Sequence, residues 1–358
     1  MNILLNGVGG PTPRSIARSL KHYSTLEHVN IIGTDINPAA YGLYESDLYE
    51  KTYIIPRAGQ AGYRKAIEKI IRDHQIDLAI VMPELEVEVW SKYATAGNLP
   101  VKTLLPQENL TYLLTDKSAM TEVIKDSGLV PQSLVIDPQK YSPGAAGEKL
   151  GYPFWIRAVS GSSGLGSLKV ENENALKHWV TINPGVKKFI ASTFLPGRNL
   201  ACKMLYWKGR LVRAACAERV NYIMAKVAPS GITGNTSFGR LLNEPGLVAE
   251  AEHAMELLFQ HADSPKHGFF TVDFKEDANG KPFITEVNVR HVAFSVCFAA
   301  AGANFAEDTV QLLTGEDQFD MDYRMYEFEK DTIFLRDVDA EPIIMKESDL
   351  LNSRFSGS

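Results

Sequence analysis

The chain has 358 residues, enough for two or three domains of ordinary size with a large buried core. Hydrophobic residues make up 45% of the sequence and charged residues 22%, a balance that excludes disordered and fibrous proteins. With 37 basic and 43 acidic side chains the formal net charge is −6, so the chain has no general basic field and nucleic acid is not an expected partner.

The cysteines and the N-terminus indicate a cytoplasmic protein. Three cysteines, an odd number with no Cys-x-x-Cys pair, argue against a disulfide framework or a cysteine-rich zinc site. The opening MNILLNGVGG passes from an apolar run straight into glycines without a basic leader, which predicts a buried first strand and not a signal peptide. No segment is apolar over the length that a bilayer requires, so no membrane partner is expected.

The first third of the chain alternates apolar runs with amphipathic stretches, the pattern of a parallel α/β domain. Strands are predicted over residues 2–6, 29–34 and 77–82. Helices are predicted over residues 13–22, 62–74 and 84–95. The alternation loosens over residues 101–114 and a new helix is predicted over 116–126, which places the first domain boundary near residue 110.

The second half differs in kind, because strands there follow one another with short turns such as Trp207-Lys208-Gly209. This predicts mostly antiparallel pairing, and hence an α+β half behind the α/β half. The predicted strands are residues 189–202, 203–220, 269–275 and 282–288, and the predicted covering helices are residues 174–181, 247–261 and 304–313. Beyond residue 315 an acidic extension carries one strand-like run, residues 332–336, and its last residues are expected to fray.

The loop from Gly7 to Pro13 follows a strand and opens a helix, where a dinucleotide fingerprint would lie. Thr12 occupies the place of the third glycine, and Asp35 comes later than a ribose-binding acid usually does. A tight strand-to-helix turn is therefore favoured over nicotinamide binding.

A second glycine loop, residues 160–166, follows a strand that carries Arg157. Glycine and serine allow a backbone to fold over phosphates and present N–H and hydroxyl donors, with Arg157 as a fixed cation. A flexible hairpin with a surface arginine would give the same pattern.

The most informative pattern is a predicted hairpin whose strands carry Asp273 and Glu286 on either side of a turn at residues 277–281. Period-two alternation places Glu286, Asn288 and Arg290 on one face. Two carboxylates and an amide oxygen are hard ligands of the kind that Mg²⁺ takes when nucleotide phosphates supply the other positions. The alternative is a solvated hairpin face, but the flanking residues are strongly apolar and the two acids would repel without a cation.

In order and spacing, these motifs resemble the ATP-grasp superfamily. The resemblance rests on Arg157 with its loop, the segment Phe-Leu-Pro-Gly-Arg at residues 194–198, the hairpin over residues 273–290 and the helix start at Thr115-Asp116-Lys117. The loop at residues 7–13 and the segment 33–37 look like the Rossmann-like domain that precedes the ATP-grasp fold in the carbamoyl-phosphate-synthetase-like branch. The resemblance covers about residues 1–315.

The resemblance implies a Rossmann-like domain over residues 1–110, ATP-grasp lobes over 111–190 and 191–315, and an extension over 316–358. It implies an ATP-dependent carboxylate-amine ligase that forms an acylphosphate and releases ADP and phosphate, with ATP and Mg²⁺ as cofactors. Its partners would be a small-molecule carboxylate and an amine, and a homodimer is compatible with it. The implied roles are metal binding by Asp273, Glu286 and Asn288, catalysis by Arg290 and Arg157, and ATP binding by Lys117, Arg157, Ser160, Gly161, Ser162, Ser163, Gly164 and Gly166.

Two positions depart from the family pattern. The family usually has lysine where Arg157 stands, although arginine keeps the charge and adds a bidentate fork. It also has an acid near Ser192 and Thr193, where this chain has none. The alternatives are therefore an ATP-grasp kinase that leaves phosphate on its acceptor and a catalytically silent nucleotide-binding regulator.

Overall fold

The computed structural model of the chain describes residues 1–161, 164 and 166–337, and three β-sheets follow one another along it. The first sheet is entirely parallel, with strand order β3-β2-β1-β4-β5. Its strands are β1 (Asn2–Asn6), β2 (Asn30–Asp35), β3 (Lys51–Ile54), β4 (Leu78–Ile80) and β5 (Lys102–Thr103). The helices of this part are α1 (Pro11–His22), α2 (Tyr63–His74), α3 (Glu84–Thr95), α4 (Glu108–Thr115) and α5 (Lys117–Ile124).

The second sheet is antiparallel and small, with strand order β6-β9-β7-β8. Its strands are β6 (Ser133–Ile136), β7 (Phe154–Ala158), β8 (Leu168–Val170) and β9 (Phe189–Thr193). Helices α6 (Pro143–Leu150) and α7 (Glu173–Ile182) cover one face of it, and Phe154, Leu176 and Phe189 are fully buried between them. Every second residue of β7 points into this core, which leaves Trp155 and Arg157 on the opposite face.

The third sheet is larger, with main strand order β14-β13-β10-β11-β12-β16. Its main strands are β10 (Asn199–Trp207), β11 (Arg210–Tyr222), β12 (Thr236–Leu242), β13 (Gly268–Glu276), β14 (Pro282–Asn288) and β16 (Ile333–Leu335), and the short β15 (Arg324–Met325) pairs in parallel with β11. All pairs along the main order are antiparallel.

Alternation along the central strands gives this sheet two buried faces. Cys202 and Met204 of β10 pack with the helix α8 (Pro245–His261). Ala201 and Leu205 point the other way, into a core shared with α9 (Ser295–Ala300) and α10 (Phe305–Gly315). Since side chains alternate along a strand, Lys203 lies on the face toward α9 and α10.

The expected fold class, a parallel α/β part followed by antiparallel sheets with helices, is confirmed. The predicted bounds of β1, α3 and β14 are reproduced. The single strand predicted over residues 189–202 is wrong, because β9 and β10 belong to different sheets and residues 194–198 connect them. Pro196 cannot donate to a ladder, and a Cβ on Gly197 would lie 2.8 to 2.9 Å from backbone oxygens of the β13–β14 hairpin, so the chain leaves one sheet and enters the next here.

Several elements were missed because their sequences are short or polar, among them β3, β6, β8 and β12. Residue 110 lies inside α4, and the division of the chain at residues 110, 190 and 315 stays a prediction. Ser162, Ser163 and the end of the extension, residues 338–358, lie outside the described residues. Within the described ranges, no helix has the length and apolar character to cross a membrane.

Candidate active site

Two cavities meet at the β13–β14 hairpin. The first, of about 460 Å³, lies between the second and third sheets and is lined by Arg157, Thr193 and Asn199, among others. The second, of about 530 Å³, lies between the third sheet and the loops at the ends of the first sheet's strands. Arg219, Gly234, Asp273 and Glu286 line both cavities, so a group bound in one cavity can reach a group bound in the other at this point.

The predicted metal ligands lie together at this junction. Asp273 and Glu286 are direct cross-strand partners of β13 and β14. The amide of Asn288 bridges them, since its Nδ2 lies 3.2 Å from Asp273 Oδ2 and 3.4 Å from Glu286 Oε1. The three side chains therefore form one compact group of oxygen and amide atoms.

A β-bulge at Thr285 aims this group. The register of the two strands shifts beside Asp273, so that Thr285 is the extra residue. The Thr285 hydroxyl donates to the backbone oxygen of Asp273 at 3.1 Å, and its own backbone oxygen accepts a hydrogen bond from Arg157 Nη2. A bulge of this kind re-aims side chains next to functional sites, and here it ties the second sheet to the third.

Two cations that line the first cavity, Lys117 and Arg157, face Glu286. Lys117 Nζ lies 3.4 Å and Arg157 Nη1 lies 3.7 Å from Glu286 Oε2. The local sequence explains the position of Lys117: Asp116 caps α5 by accepting from Ser118 N and Ala119 N, which makes Lys117 the first helical residue. Lys117 Nζ also donates to Gly161 O at 2.8 Å, which joins the helix start to the glycine loop.

Sequence reasoning missed a third cation, Arg219 on β11. Its Nη1 lies 3.4 Å from Asp273 Oδ1, and it is held by hydrogen bonds to Thr236 Oγ1 and Gly234 O, both at 2.9 Å. The alternation of β11 turns Glu218 away toward Arg240, at 2.8 Å, and Arg219 toward the metal-ligand candidates.

The surroundings of Asp273 and Glu286 shift the pKa values of the two carboxyl groups in opposite directions. Burial raises the pKa of Asp273 to about 6, opposed by Arg219 and reinforced by the charge of Glu286. Burial would also raise the pKa of Glu286, but the nearby charges of Lys117, Arg157 and Arg219 outweigh it and lower the pKa to about 2. At neutral pH Glu286 therefore stays ionised, beside the carboxyl group of Asp273, which takes up a proton more readily than a free aspartate does.

The donor set of this group fits a magnesium ion. No cluster of three His, Cys, Asp or Glu side chains suited to a metal occurs in the described part of the chain, so a metal here would need further ligands. Two carboxylates and one amide carbonyl are hard donors, and Mg²⁺ commonly fills its remaining positions with phosphate oxygens and water. A buried acid, Asp273, and a half-buried acid, Glu286, in direct cross-strand register are the arrangement that a divalent cation would stabilise.

The other residues predicted to bind nucleotide take different positions. Gly161 and Gly164 line the first cavity. Gly166 is buried behind it, with its backbone oxygen accepting from Trp179 Nε1 at 2.9 Å, and Ser160 is exposed and outside the cavity lining. Arg290 lines the second cavity beyond the end of β14, and its Nη1 donates to His291 O at 3.1 Å.

The loop between β11 and β12 also joins the site. Ser230, Gly231 and Ile232 line the first cavity, Asn235 lines the second, and Gly234 lines both. A Cβ on Gly164 would lie 2.6 Å from Ile232 O, so this loop touches the glycine loop.

The N-terminal turn behaves as the tight-turn interpretation expects. Asp35 Oδ2 accepts from Gly9 N at 2.8 Å and its Oδ1 accepts from Asn37 N at 2.9 Å. The carboxylate therefore holds the turn itself, which disfavours a role in binding a nicotinamide ribose.

A buried lysine lies behind the metal-ligand candidates. Lys203 Nζ donates to Ser295 Oγ at 2.9 Å and lies 5.0 Å from the ring centres of Phe294 and Phe298. Burial lowers its pKa to about 7, while the charge of Asp273 acts in the opposite direction. His291 is buried and stacked on Phe269, and burial together with the charge of Lys203 lowers its pKa.

No protein-family model matches the sequence, and no curated protein matches it significantly. Solved structures do match the fold. An L-amino acid ligase from Bacillus licheniformis superposes with a TM-score of 0.65 and 17% identity over 90% of this chain and 77% of that one. N5-carboxyaminoimidazole synthetase from Staphylococcus aureus, complexed with ADP, superposes with a TM-score of 0.67 and 16% identity over 91% of this chain and 79% of that one. Biotin carboxylase from Campylobacter jejuni, in a β,γ-ATP complex, superposes with a TM-score of 0.63 and 16% identity over 88% of this chain and 71% of that one.

These likenesses extend over nearly the whole described chain, so they concern the first sheet as well as the two sheets around the first cavity. The chain therefore has the ATP-grasp fold behind a Rossmann-like parallel sheet, as the sequence resemblance predicted.

Proposed function

We propose that the protein is an ATP-dependent carboxylate-amine ligase that works through an acylphosphate. The observation that carries the proposal is the junction at Asp273 and Glu286, where one cavity suited to a nucleotide meets a second cavity suited to an acceptor. The matched structures, which include an amino acid ligase and complexes with ADP and with β,γ-ATP, support this choice of chemistry.

In this proposal the first cavity holds ATP with its phosphates toward the junction. Lys117 and Arg157 contact phosphate oxygens, and the glycine loop at Gly161 and Gly164 covers them. Asp273, Glu286 and Asn288 hold Mg²⁺, which when bound neutralises phosphate charge and aligns the terminal phosphate. The sequence has no acid near Thr193, and Ser192, Thr193 and Asn199 are among the polar residues that line this cavity.

The second cavity holds the carboxylate and then the amine. The carboxylate oxygen attacks the terminal phosphorus of ATP, the bond to the bridging oxygen of ADP breaks, and an acylphosphate forms. The amine, once it has lost its ammonium proton, attacks the acyl carbon; a C–N bond forms, the C–O bond to phosphate breaks, and phosphate leaves as the nitrogen releases one further proton to solvent. Arg219 and Arg290 face the transferred group from the third sheet, so that charge stabilisation and alignment supply the catalysis without a protein nucleophile.

Hydroxylamine tests the reaction class directly. The purified protein is incubated with MgATP, hydroxylamine and a panel of small carboxylates, and hydroxamate, ADP and phosphate are measured together. A ligase forms all three in equal amounts with at least one carboxylate. A stable phosphorylated acceptor without hydroxamate would replace the ligase by a kinase, and no turnover with any carboxylate would leave a nucleotide-binding regulator.

The proposal places both substrates among small molecules and the protein in the cytoplasm. The homodimer stays a prediction, to be checked by light scattering of the purified chain.

A further inference from the structure

The second cavity contains a buried carboxyl group that the proposed reaction does not yet use. Glu86, in the first turn of α3, is only 4% exposed and is part of the cavity wall. Its Oε2 accepts hydrogen bonds from the Tyr63 hydroxyl and from Asn6 Nδ2, the latter at 2.5 Å. Trp90 Nε1 donates to the Tyr63 hydroxyl at 2.7 Å, so buried side chains fix this oxygen from behind.

The other oxygen of Glu86 has no such support. None of the described residues donates a hydrogen bond to Oε1. Asn6 Oδ1, on the amide that holds Glu86, is buried and likewise accepts no hydrogen bond within the described chain. Asn6 does not line the cavity, so Glu86 Oε1 is the acceptor of this pair that belongs to the cavity wall, and a ligand that donates a hydrogen bond fits there.

The charges of the cavity indicate which donor fits. The wall formed by the first sheet's loops also carries Asp35 and Glu84, and its one basic residue among those described, Arg57, is exposed. The facing wall carries Arg219 and Arg290 beside the metal-ligand candidates. Anionic groups therefore belong at the facing wall, and a cationic group belongs beside Glu86.

An ammonium group has the properties that this wall requires, because it carries a positive charge and three N–H donors. We propose, on the basis of the ligase function proposed above, that Glu86 binds the ammonium group of the amine substrate. The amine substrate is then ammonia or a small molecule with a primary amino group. Burial raises the pKa of Glu86 to about 7, and a bound ammonium would keep the carboxylate ionised.

Direct binding to the full-length, MgADP-loaded protein tests this assignment by calorimetry. The probes are ammonium chloride and the twenty proteinogenic L-amino acids, each amino acid paired with its N-acetyl derivative. We expect at least one of these probes to bind the wild type; a bound amino acid should bind at least tenfold more tightly than its N-acetyl derivative. Glu86→Gln should weaken its binding about 10- to 100-fold, the value of a hydrogen bond to a charged group.

Glu88→Gln is the matched control, because Glu88 lies on the same helix and lines neither cavity. Its affinity for the same probe should stay within about twofold of the wild-type value. Three results would each overturn the assignment: no probe binds the wild type, an acetylated partner binds equally well, or Glu86→Gln binds with unchanged affinity. The acetylation comparison, or ammonium chloride against sodium chloride if ammonia is the ligand, uses only the wild type and stays decisive if the variant fails to fold.

The hydroxylamine experiment separates this inference from the function on which it rests. Hydroxylamine is largely uncharged at neutral pH, so it should trap an acylphosphate without help from Glu86. Trapping by the wild type together with equal binding of acetylated and free amines would refute the role of Glu86 and keep the ligase. Absence of trapping with every carboxylate would refute the ligase itself.

Discussion

Replacing Glu286 by glutamine should affect metal-free and metal-loaded ATP in opposite directions. In the structure Glu286 neutralises Lys117 and Arg157 at 3.4 and 3.7 Å, and both cations also line the first cavity. The phosphates of ATP would compete with Glu286 for these cations. Asp273, Glu286 and Asn288 would hold a magnesium ion, and its charge would remove that competition because the Glu286 carboxylate would then have its own positive partner.

The distances set the magnitude. Unit charges about 4 Å apart interact by ~4 kcal/mol at the effective dielectric constant of ~20 that suits protein sites. Losing one carboxylate contact of this size to the metal corresponds to a fall of about 10³-fold in kcat/KM for MgATP. For ATP in the presence of EDTA the sign reverses, and since Glu286 is 29% exposed and partly screened we expect only about tenfold tighter binding.

ADP release by a coupled assay gives the first quantity, and calorimetry in EDTA gives the second. Asp308→Asn is the control, because Asp308 is also a buried carboxyl, held by the Tyr326 hydroxyl, but lines neither cavity. It should lower stability and leave turnover of the folded protein unchanged. Folded Glu286→Gln protein with kcat/KM within tenfold of wild type, or with weaker binding of metal-free ATP, would refute the placement of the metal and the phosphates.

Four further outcomes follow from other residues in or behind the site. MgADP affinity should fall about tenfold between pH 7 and pH 5, because Asp273, with a pKa of about 6, must release its proton before it binds the metal, and calorimetry of Asp273→Asn should show a flatter profile. Arg157→Ala should lower kcat/KM by a factor that corresponds to about 2 to 3 kcal/mol of activation free energy, and Arg157→Lys should lower it much less. Arg290→Ala should reduce hydroxamate formation far more than it weakens ATP binding. Kinetics equal to wild type in either alanine variant would exclude that residue from the site. In the folded state the pKa of Lys203 is about 7, below the unfolded value of 10.5, so unfolding takes up a proton between these pH values. The free energy of unfolding should therefore rise from pH 7 to pH 10 by at most about 1.4 kcal/mol per pH unit. Lys203→Met should lose that slope in urea titrations.

The sequence predicted those parts of the site that lie on one hairpin or at one helix start. The turn at residues 277–281 predicted that Asp273 and Glu286 lie near each other, but their direct pairing depends on the bulge at Thr285, without which Asp273 would pair with Thr285. Lys117 was predicted from the family resemblance of the helix start Thr115-Asp116-Lys117, and in the structure Asp116 caps α5 and makes Lys117 its first residue. In both cases a few neighbouring residues determine the geometry.

Arg219 and Glu86 could not be found in this way, since their roles depend on distant parts of the chain. Arg219 meets Asp273 only because β11 and β13 both flank β10. Glu86 lies in a helix with acids at residues 84, 86 and 88, and nothing local distinguishes the one that Tyr63 and Asn6 enclose. The break at residues 194–198 was hidden for a similar reason, because apolar residues continue on both sides of it.

The position of the junction explains why the fold needs all three sheets for one site. Arg157 of the second sheet contacts Thr285 and Glu286 of the third, so in the proposed ligase the position of the nucleotide between these sheets and the alignment of the candidate metal ligands would depend on the same side chain. Glu86 belongs to the first sheet's helices and faces the opposite side of that hairpin across the second cavity. A carboxylate between the two would therefore meet the phosphate donor from one side and the amine from the other, which is the order of contacts that a two-step ligation requires.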